Sequence, residues 1–293
     1  MGYGDKGSLF DLRGPLKGGL LKWIGNKQRF ADRITASFPA IFETYIEPFV
    51  GSGAVLATLA PERAVASDSF KPLIEIWRGL SENPELLKLS YAERWLFMQE
   101  GEKVSQYEKI KASYNANPNG ADLLFLCRSC YGGVVRFRQA DGYMSTPCGI
   151  HDPIHPRSFG KRVDEWHDRT KGARFVQMQY EEAMGNSRQG DLIYCDPPYS
   201  NSQAILYGAQ AFDLEYLFQV IERCKTKGAK VALSIDGTKK SGKRVVELPI
   251  PTGLFEQELF IDCGRSMLRR FQMAEQTLEE EVVTDRLLLT YTP

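Results

Sequence analysis

Short apolar runs that stop abruptly at polar or proline residues predict a series of buried strands. The clearest run is residues 192–195, LIYC, which ends at Asp196 and two prolines. Similar runs predict further strands at residues 45–46, 65–67, 174–178, 230–235 and 286–291. Between them, apolar residues recur at helical spacing in residues 30–38, 70–89 and 212–221. Polar residues at the ends of the predicted strands are therefore the first candidates for chemistry.

The turn after residue 195 has the sequence Asp196-Pro197-Pro198-Tyr199. Proline fixes its own φ and keeps the preceding residue out of the helical region, so Asp196 is expected to be extended at the strand's carboxyl end. Open α/β sheets bind their ligands at that end. A carboxylate, a proline carbonyl and an aromatic ring within one turn are suited to hold a planar ring that bears an amine. The alternative is a plain strand whose proline turn carries a surface aspartate.

A second candidate stretch, EPFVGSGAV, runs from Glu47 to Val55 and follows the apolar pair at residues 45–46. Gly51 and Gly53 allow a sharp turn and a close approach of the backbone to a ligand. The spacing is not that of the G-x-G-x-x-G dinucleotide motif. Asp68 ends the next predicted strand, where an acidic side chain can accept hydrogen bonds from ribose hydroxyls.

Together with KWIGNK at residues 22–27, these motifs occur in the order KWIGNK, EPFVGSGAV, ASD, DPPY, with a long segment before the last. That order resembles the alpha group of DNA adenine-N6 methyltransferases, the D12 class of Dam-like enzymes. The resemblance implies an α/β, Rossmann-like, S-adenosylmethionine-dependent methyltransferase fold. It also implies an inserted, mainly helical target-recognition domain with a β-hairpin. The implied catalytic domain comprises residues 1–82 and 169–293, and the implied DNA-binding domain comprises residues 83–168.

The resemblance also implies roles for individual residues. The catalytic turn would be Asp196, Pro197, Pro198 and Tyr199. Contacts to the cofactor, S-adenosyl-L-methionine, would come from Trp23, Lys27, Pro48, Phe49, Gly51, Gly53, Asp68, Phe175 and Asp196. Contacts to double-stranded DNA would come from Lys22, Arg128, Tyr131, Arg136 and Arg138. The target adenine would be flipped out of the duplex, with Tyr199 stacked on it and Phe212 as a weaker candidate for its other face.

Residues 123–149 are similar to the recognition signature of this family. Strand-like residues flank Asp141-Gly142, which indicates a hairpin. From residue 127 to 174, nine basic side chains stand against five acidic ones and alternate with aromatic residues, a pattern that fits phosphate contacts and stacking. Solvated surface charge is the alternative. Gly132 and Arg138 replace residues that are often asparagine in the family, so the recognised bases are not implied.

Composition limits the partners and the compartment. The 293 residues include 43% hydrophobic residues and equal numbers, 37 each, of basic and acidic residues, so any affinity for DNA must be local. Apolar runs long enough to span a membrane are absent, as is an N-terminal signal pattern, and six cysteines then indicate free thiols in a reducing cytoplasm. We expect a prokaryotic or phage-encoded cytoplasmic protein. A cognate restriction endonuclease is one further partner that the resemblance allows.

Three alternatives remain open from the sequence. Cys127, Cys130, Cys148 and His151 have spacing similar to zinc ligands, but the first two lie in a helix-like run, so no metal is predicted. A methyltransferase of RNA or of a protein amide would use a similar turn. A DNA-binding relative without catalytic activity would keep the same fold. The inserted basic block favours duplex DNA, and the complete motif set favours an active enzyme.

Overall fold

The computed structural model describes residues 16–138, 140–198, 212–236, 238–239, 244–245, 248–265 and 282–293. In these ranges the helices are α1 (Ala31–Thr35), α2 (Ala54–Leu59), α3 (Lys71–Glu82), α4 (Pro84–Gln99), α5 (Lys103–Ala116), α6 (Gly120–Ser129), α7 (Pro156–Arg169), α8 (Tyr180–Gly185) and α9 (Leu214–Thr226). The strands are β1 (Tyr45–Glu47), β2 (Ala64–Asp68), β3 (Ala173–Gln177), β4 (Leu192–Cys195), β5 (Lys230–Asp236), β6 (Thr238–Lys239), β7 (Arg244–Val245), β8 (Gln257–Arg265) and β9 (Val282–Leu289).

Seven of these strands form one sheet in the order β3-β2-β1-β4-β5-β9-β8. The first five strands run parallel, and β9 is antiparallel to both β5 and β8. Chain order reverses between β1 and β4, where Ile46 pairs with Ile193. This is the mixed α/β architecture that the sequence predicts, with a topological switch point in the middle of the sheet.

Alternating side chains along each strand divide the core into two layers, one on each face of the sheet. On β4, Leu192 and Tyr194 belong to one buried cluster, whereas Ile193 and Cys195 belong to the other. Helices α8 and α9 cover the second face. Asp213 caps α9 as its sequence predicts, because its carboxylate accepts a hydrogen bond from the Tyr216 amide at 3.0 Å.

The first face carries α1, α2 and α3 together with the inserted helices α4–α7. The insert shares one continuous hydrophobic core with the sheet instead of forming a separate one. Trp77 of α3 stacks on Phe175 of β3 and contacts Trp166 of α7, with ring centroids 5.4 and 5.6 Å apart. The insert is thus packed tightly against the sheet. In the described ranges, the helices are all too short or too polar to cross a membrane.

The predicted strands are confirmed, because each of the six short apolar runs contributes to a strand of the central sheet. The predicted helix over residues 70–89 is instead two helices that meet at Asn83. Pro84 begins the second helix, and the Asn83 side chain caps it by accepting from the Leu86 amide at 3.0 Å. The break coincides with the predicted start of the insert at residue 83. The predicted end, residue 168, lies in the last turn of α7.

The predicted hairpin of the recognition domain is smaller than expected. The chain does reverse at Asp141-Gly142, where the Arg138 amide donates to the Tyr143 carbonyl at 2.9 Å. Among the described residues around this turn, pairing consists of single bridges, Phe137 with Met144 and Cys130 with Cys148, and these do not form a continuous ladder. We call residues 130–149 the recognition loop.

We predict that Gly53→Ala destabilises the protein more than Gly142→Ala. Both glycines have positive φ, 63° and 68°, so each alanine costs about 1 kcal/mol of backbone strain. A Cβ added at Gly53 would also lie 2.8 Å from Cη2 of the buried Trp77, whereas one at Gly142 meets nothing within 4 Å. Gly53→Ala should therefore lose roughly 1–3 kcal/mol more in urea unfolding. Equal losses for the two variants would contradict this close packing.

Candidate active site

The candidate site is a cleft at the carboxyl ends of β1 and β4. After β1 the chain turns into α2 on the first face of the sheet, whereas the next described helix after β4, α9, lies on the second face. Between these departing segments lies an open cleft with an empty volume of about 360 Å³. The cleft is lined by Trp23, Ile24, Gly25, Lys27, Glu47, Phe49, Val50, Gly51, Ser52, Ala54, Val55, Tyr194 and Asp196.

The turn between β1 and α2, residues 48–53, forms the floor of the cleft, and we call it the glycine loop. Gly51 has a φ of 44°, which L side chains rarely adopt. Its carbonyl accepts from the Trp77 indole at 3.1 Å, and its amide donates to the Asp68 carboxylate at 3.4 Å. The Asp68 carboxylate also accepts from the Phe70 amide at 3.0 Å. The end of β2 therefore fixes the conformation of the glycine loop.

Residues 16–27, which we call the strap, close one side of the cleft. Helices of the insert hold its backbone: Arg128 donates to the carbonyls of Gly19 and Leu20 at 3.1 and 2.9 Å, and Trp166 donates to Gly18 at 2.8 Å. Arg162 adds a bond to Gly19 at 3.1 Å. The strap thus carries Trp23 and Lys27 to the cleft on supports that belong to the insert.

Asn26 ties the strap to the glycine loop. Its side-chain oxygen accepts from the Gln28 amide at 2.8 Å and from the Ser52 hydroxyl at 3.2 Å. These two bonds fix the backbone path of the strap where it passes the glycine loop.

Three charged groups meet where the strap reaches β4. The Lys27 ammonium lies 3.0 Å from Oδ1 of Asp196 and 3.1 Å from Oδ2 of Asp285 on β9. Its side chain is only 6% exposed. Burial opposes the charged form of Lys27, but the charges of Asp196 and then Asp285 outweigh burial and raise its pKa. Lys27 is therefore a cation fixed between two carboxylates at the edge of the cleft.

Glu47, at the end of β1, is a second acidic group in the cleft and is 3% exposed. Its Oε2 accepts from the Tyr45 hydroxyl at 2.8 Å. Burial, with a contribution from the charge of Asp196, raises the pKa of Glu47 to about 8, although its hydrogen bonds with Tyr45 and the Leu56 amide act in the opposite direction. At neutral pH this carboxyl group is therefore mostly protonated.

The structure brings together most of the predicted cofactor residues. Trp23, Lys27, Phe49, Gly51 and Asp196 line the cleft. The others lie around them. Pro48 and Gly53 shape the glycine loop, and Asp68 supports it through the Gly51 amide. Aromatic rings and carboxyl groups face the cleft, a lining that suits a ligand with a positive charge.

Phe175 does not reach the cleft, contrary to its predicted contact with the cofactor. Its ring is 4% exposed and stacks on Trp77, with an interplanar angle of 14°. Side chains alternate between the two faces along β3, and Phe175 lies on the side that faces the first-face core. The alternating pattern of β3 is equally consistent with a buried packing residue at position 175.

The predicted catalytic turn starts at the cleft. Asp196 lines it, and Pro197 and Pro198 follow β4 directly. Tyr199 lies outside the described residues. Phe212 is partly buried in the second-face core and contacts Phe49, with ring centroids 5.8 Å apart, so it lies behind a residue that lines the cleft.

Four of the five predicted DNA contacts are at the surface: Lys22, Tyr131, Arg136 and Arg138 are exposed. The Lys22 side chain packs directly against Gly133 of the recognition loop. The space there is so small that a Cβ added at Gly133 would lie only 2.6 Å from Cδ of Lys22. Partial burial, with the charges of Arg128 and Arg162, lowers the pKa of Lys22. Arg138 pairs with Asp141 at 2.6 Å and lies 4.2 Å above the Tyr143 ring.

Arg128 is a correction to the predicted set. It is 4% exposed, and its guanidinium is used by the strap carbonyls, so it does not present its charge to DNA. Arginine supplies several donors in a fixed planar arrangement, which suits it to bind backbone carbonyls inside a core. In the same region, Cys127 and Cys130 are buried, and no group of three metal-binding side chains is found among the described residues.

Sequence reasoning did not assign roles to Glu47, Tyr194 and Asp285. A usable signal existed for Glu47. It ends β1, Asp196 directly follows the neighbouring parallel strand β4, and the carboxyl ends of neighbouring parallel strands meet at one edge of the sheet. Asp285 offered no such signal, because only the pairing of β9 with β5 brings it to Lys27.

The sequence matches the family of D12 class N6 adenine-specific DNA methyltransferases over residues 23–256. Among similar proteins, the DNA adenine methylase of Vibrio cholerae serotype O1 is 26% identical over 227 residues, which cover 73% of this chain and 79% of the relative. The retron Ec67 DNA adenine methylase of Escherichia coli is 29% identical over 229 residues, covering 75% and 77%. A type II methyltransferase of Lactococcus lactis subsp. cremoris is 25% identical over 230 residues, covering 73% and 79%.

The fold and the cleft are those of a Rossmann-like methyltransferase, in which a ligand binds where the order of the parallel strands reverses. The chain belongs to the D12 class of N6 adenine-specific DNA methyltransferases. Its substrate is therefore adenine in DNA, and its methyl donor is S-adenosylmethionine.

We predict that Glu47→Gln removes a pH dependence of folding stability. The unfolded carboxyl group ionises near 4.5 and the folded one near 8, so the folded state holds an extra proton between these values. This group's contribution to stability is therefore full below pH 4.5 and is lost as pH rises to 8, at up to about 1.4 kcal/mol per pH unit. Urea unfolding at several pH values should show that the free energy of unfolding of Glu47→Gln increases relative to that of the wild type as pH rises.

The matched control for this prediction is Glu93→Gln, which changes an exposed carboxyl group on α4. Its stability curve should run parallel to that of the wild type. A Glu47→Gln curve that also runs parallel to the wild type would contradict a protonated Glu47.

Proposed function

We propose that this cleft performs site-specific methylation of adenine N6 in double-stranded DNA, with Asp196 as the residue that holds the amine. The observation that carries the proposal is the shared cleft: Asp196 and Gly51 both line it, although 145 residues (196 minus 51) separate them in the chain. The carboxylate that would bind the amine and the backbone turn that would bind the methyl donor therefore face one space.

The assigned chemistry addresses the weak nucleophilicity of an exocyclic amine, whose lone pair is delocalised into the ring. S-adenosylmethionine supplies a methyl group on a positively charged sulfur, and the C–S bond breaks with its electron pair left on sulfur as the N–C bond forms. The Asp196 carboxylate and the Pro197 carbonyl accept hydrogen bonds from the amine and localise its lone pair. Asp196 then takes the surplus proton. Fixed acceptors of this kind stabilise the charge that develops in the transition state.

The walls of the cleft have separate tasks in this proposal. Trp23 and Phe49 contribute aromatic surface, and the backbone of Gly51 allows close approach. Asp68 would accept hydrogen bonds from the ribose of the cofactor while it holds the Gly51 amide. The strap and the glycine loop together position two reactants, which supplies several kcal/mol towards the barrier.

A stacked base cannot reach this cleft, so the target adenine has to leave the duplex. Tyr199, the residue after the two prolines, is assigned to stack on the extruded ring. Lys22, Tyr131, Arg136 and Arg138 form the proposed DNA surface, because they are exposed on the strap and recognition loop, which touch beside the cleft. Their mixture of basic and aromatic groups suits both phosphate contact and stacking.

A cognate restriction endonuclease as a partner, and a cytoplasmic location in a prokaryotic or phage-infected cell, remain part of the proposal. The Lactococcus lactis relative is named as a type II methyltransferase, and the Escherichia coli relative is named for a retron. Both a restriction setting and a mobile-element setting are therefore represented among similar proteins.

We predict that Asp196→Ala abolishes methyl transfer and retains DNA binding. Loss of a fixed acceptor in the transition state lowers rates by about 10²- to 10³-fold, and loss of the proton acceptor adds to this effect. Single-turnover transfer of radiolabelled methyl to DNA measures the rate, and fluorescence anisotropy measures DNA affinity. The isosteric Asp196→Asn variant keeps the shape of the turn and one acceptor oxygen but loses the charge and the proton acceptor, so it should retain DNA binding and lose most of the activity, although less than Asp196→Ala loses. Substantial turnover by either variant would remove Asp196 from its assigned role.

We predict that Arg136→Ala weakens specific DNA binding by about ten-fold or more, the range expected for one arginine contact to a base. Its affinity for S-adenosylmethionine should change little, because Arg136 is on the recognition loop and not in the cleft. Anisotropy with a duplex that the enzyme methylates, and calorimetry with the cofactor, measure the two affinities.

The control for Arg136 is Arg223→Ala, which removes an exposed arginine from α9 on the second face of the sheet. It changes net charge by the same amount and should leave DNA affinity nearly unaltered. Equal effects of the two variants would indicate that Arg136 contributes only general surface charge.

A further inference from the structure

Two cysteines face each other at the base of the recognition loop. Cys130 begins the loop, Cys148 lies near its end, and the two residues form a single antiparallel bridge. Backbone hydrogen bonds of 2.8 Å flank the pair on both sides, from the Tyr131 amide to the Pro147 carbonyl and from the Gly149 amide to the Ser129 carbonyl. The cysteines therefore occupy the non-hydrogen-bonded position of an antiparallel pair.

This position brings two side chains close together. Opposed residues in a non-hydrogen-bonded pair have Cα atoms about 4.5 Å apart, and their side chains project from the same face. A disulfide requires Cα atoms roughly 4.4–6.8 Å apart. The backbone at Cys130 and Cys148 is thus suited to a disulfide that needs only rotation of the two side chains.

Both thiols lie on the inner side of the loop. Cys130 is 3% exposed, and Cys148 is partly buried. Burial raises the pKa of Tyr107 on α5, and the charges of Cys130 and then Cys148 act in the same direction, which places both sulfurs near the Tyr107 hydroxyl. Tyr131 and Arg136 of the same loop are exposed. The thiols therefore lie beneath the surface that carries the proposed DNA contacts.

The two thiols differ in their access to reagents. Cys148 is the more exposed, so a reagent from solvent reaches it first. Burial raises the pKa of both thiols, that of Cys130 to about 12, which makes exchange slow at neutral pH. The charges of Lys22 at Cys130 and of Lys103 at Cys148 oppose this effect and favour the reactive thiolates.

A bond between these cysteines would enclose the recognition loop. Among the described residues, pairing within the loop consists of single bridges, so the backbone alone holds it by few bonds. The new covalent ring would contain all of the proposed DNA contacts of the loop, Tyr131, Arg136 and Arg138. Because a cross-link restricts the open states of the segment that it encloses, it would stabilise the closed form of the loop.

We propose that Cys130 and Cys148 form a reversible disulfide that clasps the base of the recognition loop, with a low-molecular-weight disulfide such as oxidised glutathione as the oxidant. Under reducing conditions the pair remains as two thiols, and the clasp forms when the surrounding thiol pool is oxidised. This inference goes beyond the proposed methylation, and formation of the clasp does not depend on the assignment of the cleft.

The oxidation takes place in two exchange steps. The Cys148 thiolate attacks one sulfur of the small disulfide, whose S–S bond breaks as a mixed disulfide forms, and the departing thiolate takes up the proton that Cys148 lost. Cys130 then loses its proton, attacks the Cys148 sulfur and releases the second small thiol. Two protein thiols are thereby oxidised by two electrons, and the small disulfide is reduced to two thiols.

Peptide mass spectrometry of the wild-type chain tests the bond directly. After equilibration with oxidised glutathione and alkylation of the remaining thiols, digestion without reductant should give a peptide pair that joins Cys130 to Cys148. Dithiothreitol should restore both thiols. The control Cys127→Ala removes the buried thiol one helical turn before Cys130 and should leave this cross-link unchanged. A cross-link between Cys127 and Cys130, or glutathione that stays on Cys148, would overturn the proposal.

Hydrogen exchange tests whether the bond acts as a clasp. The amides of Tyr131 and Gly149, which flank the pair, should exchange at least about ten-fold more slowly in the oxidised protein than in the reduced protein. The Tm should rise by about 5 °C. Cys148→Ser should show neither change after treatment with oxidised glutathione. Equal exchange rates in the oxidised and reduced wild type would contradict a clasp.

Binding measurements separate this inference from the proposed function. Fluorescence anisotropy should show that the oxidised protein keeps its affinity for duplex DNA to within about three-fold, because the bond lies beneath the exposed side chains. Loss of DNA binding on oxidation alone would show that the bond distorts the loop and would overturn the clasp. Failure of both forms to methylate DNA would overturn the proposed function, whereas the cross-link is measured without DNA.

Discussion

The candidate active site depends on one constraint of the backbone: β1 and β4 are parallel neighbours, and the next described helices after them, α2 and α9, lie on opposite faces of the sheet. A cleft must then open between their carboxyl ends. Residues that end the two strands, Glu47 and Asp196, are brought to the same edge by this pairing. The glycine loop and the strap add walls to a cavity that the strand order already creates.

Contacts between the insert and the strap give the second layer of organisation. Arg128, Arg162 and Trp166 belong to helices of the recognition insert, yet their donors bind carbonyls of the strap. Since the strap carries Trp23 and Lys27 into the cleft, the inserted helices and this wall of the cleft are parts of one hydrophobic core. The charged bridge of Lys27 with Asp196 and Asp285 completes this arrangement, because it ties the strap to two strands of the sheet.

The sequence predicted the features that depend on local chemistry. A short apolar run closed by two prolines specified β4 and the position of Asp196, and a glycine-rich turn after an apolar pair specified the loop beside it. Features that depend on contacts between distant parts of the chain could not be predicted from the sequence. Arg128 has the sequence context of a DNA contact, but it meets strap carbonyls 108 and 109 residues away. Phe175 was placed at the cofactor by resemblance, whereas the alternation along β3 points it into the core. Asp285 reaches Lys27 only through the antiparallel pairing of the last strand.

The central claim is that one cleft joins an amine-binding carboxylate to a methyl-donor site and acts on adenine in duplex DNA. Single-molecule sequencing of DNA from cells that express the wild-type protein or the Asp196→Ala variant tests it most directly. The account predicts N6-methyladenine in one recurring sequence context with the wild type, and none with the variant. Methylation of another base, or equal adenine methylation with both proteins, would contradict it.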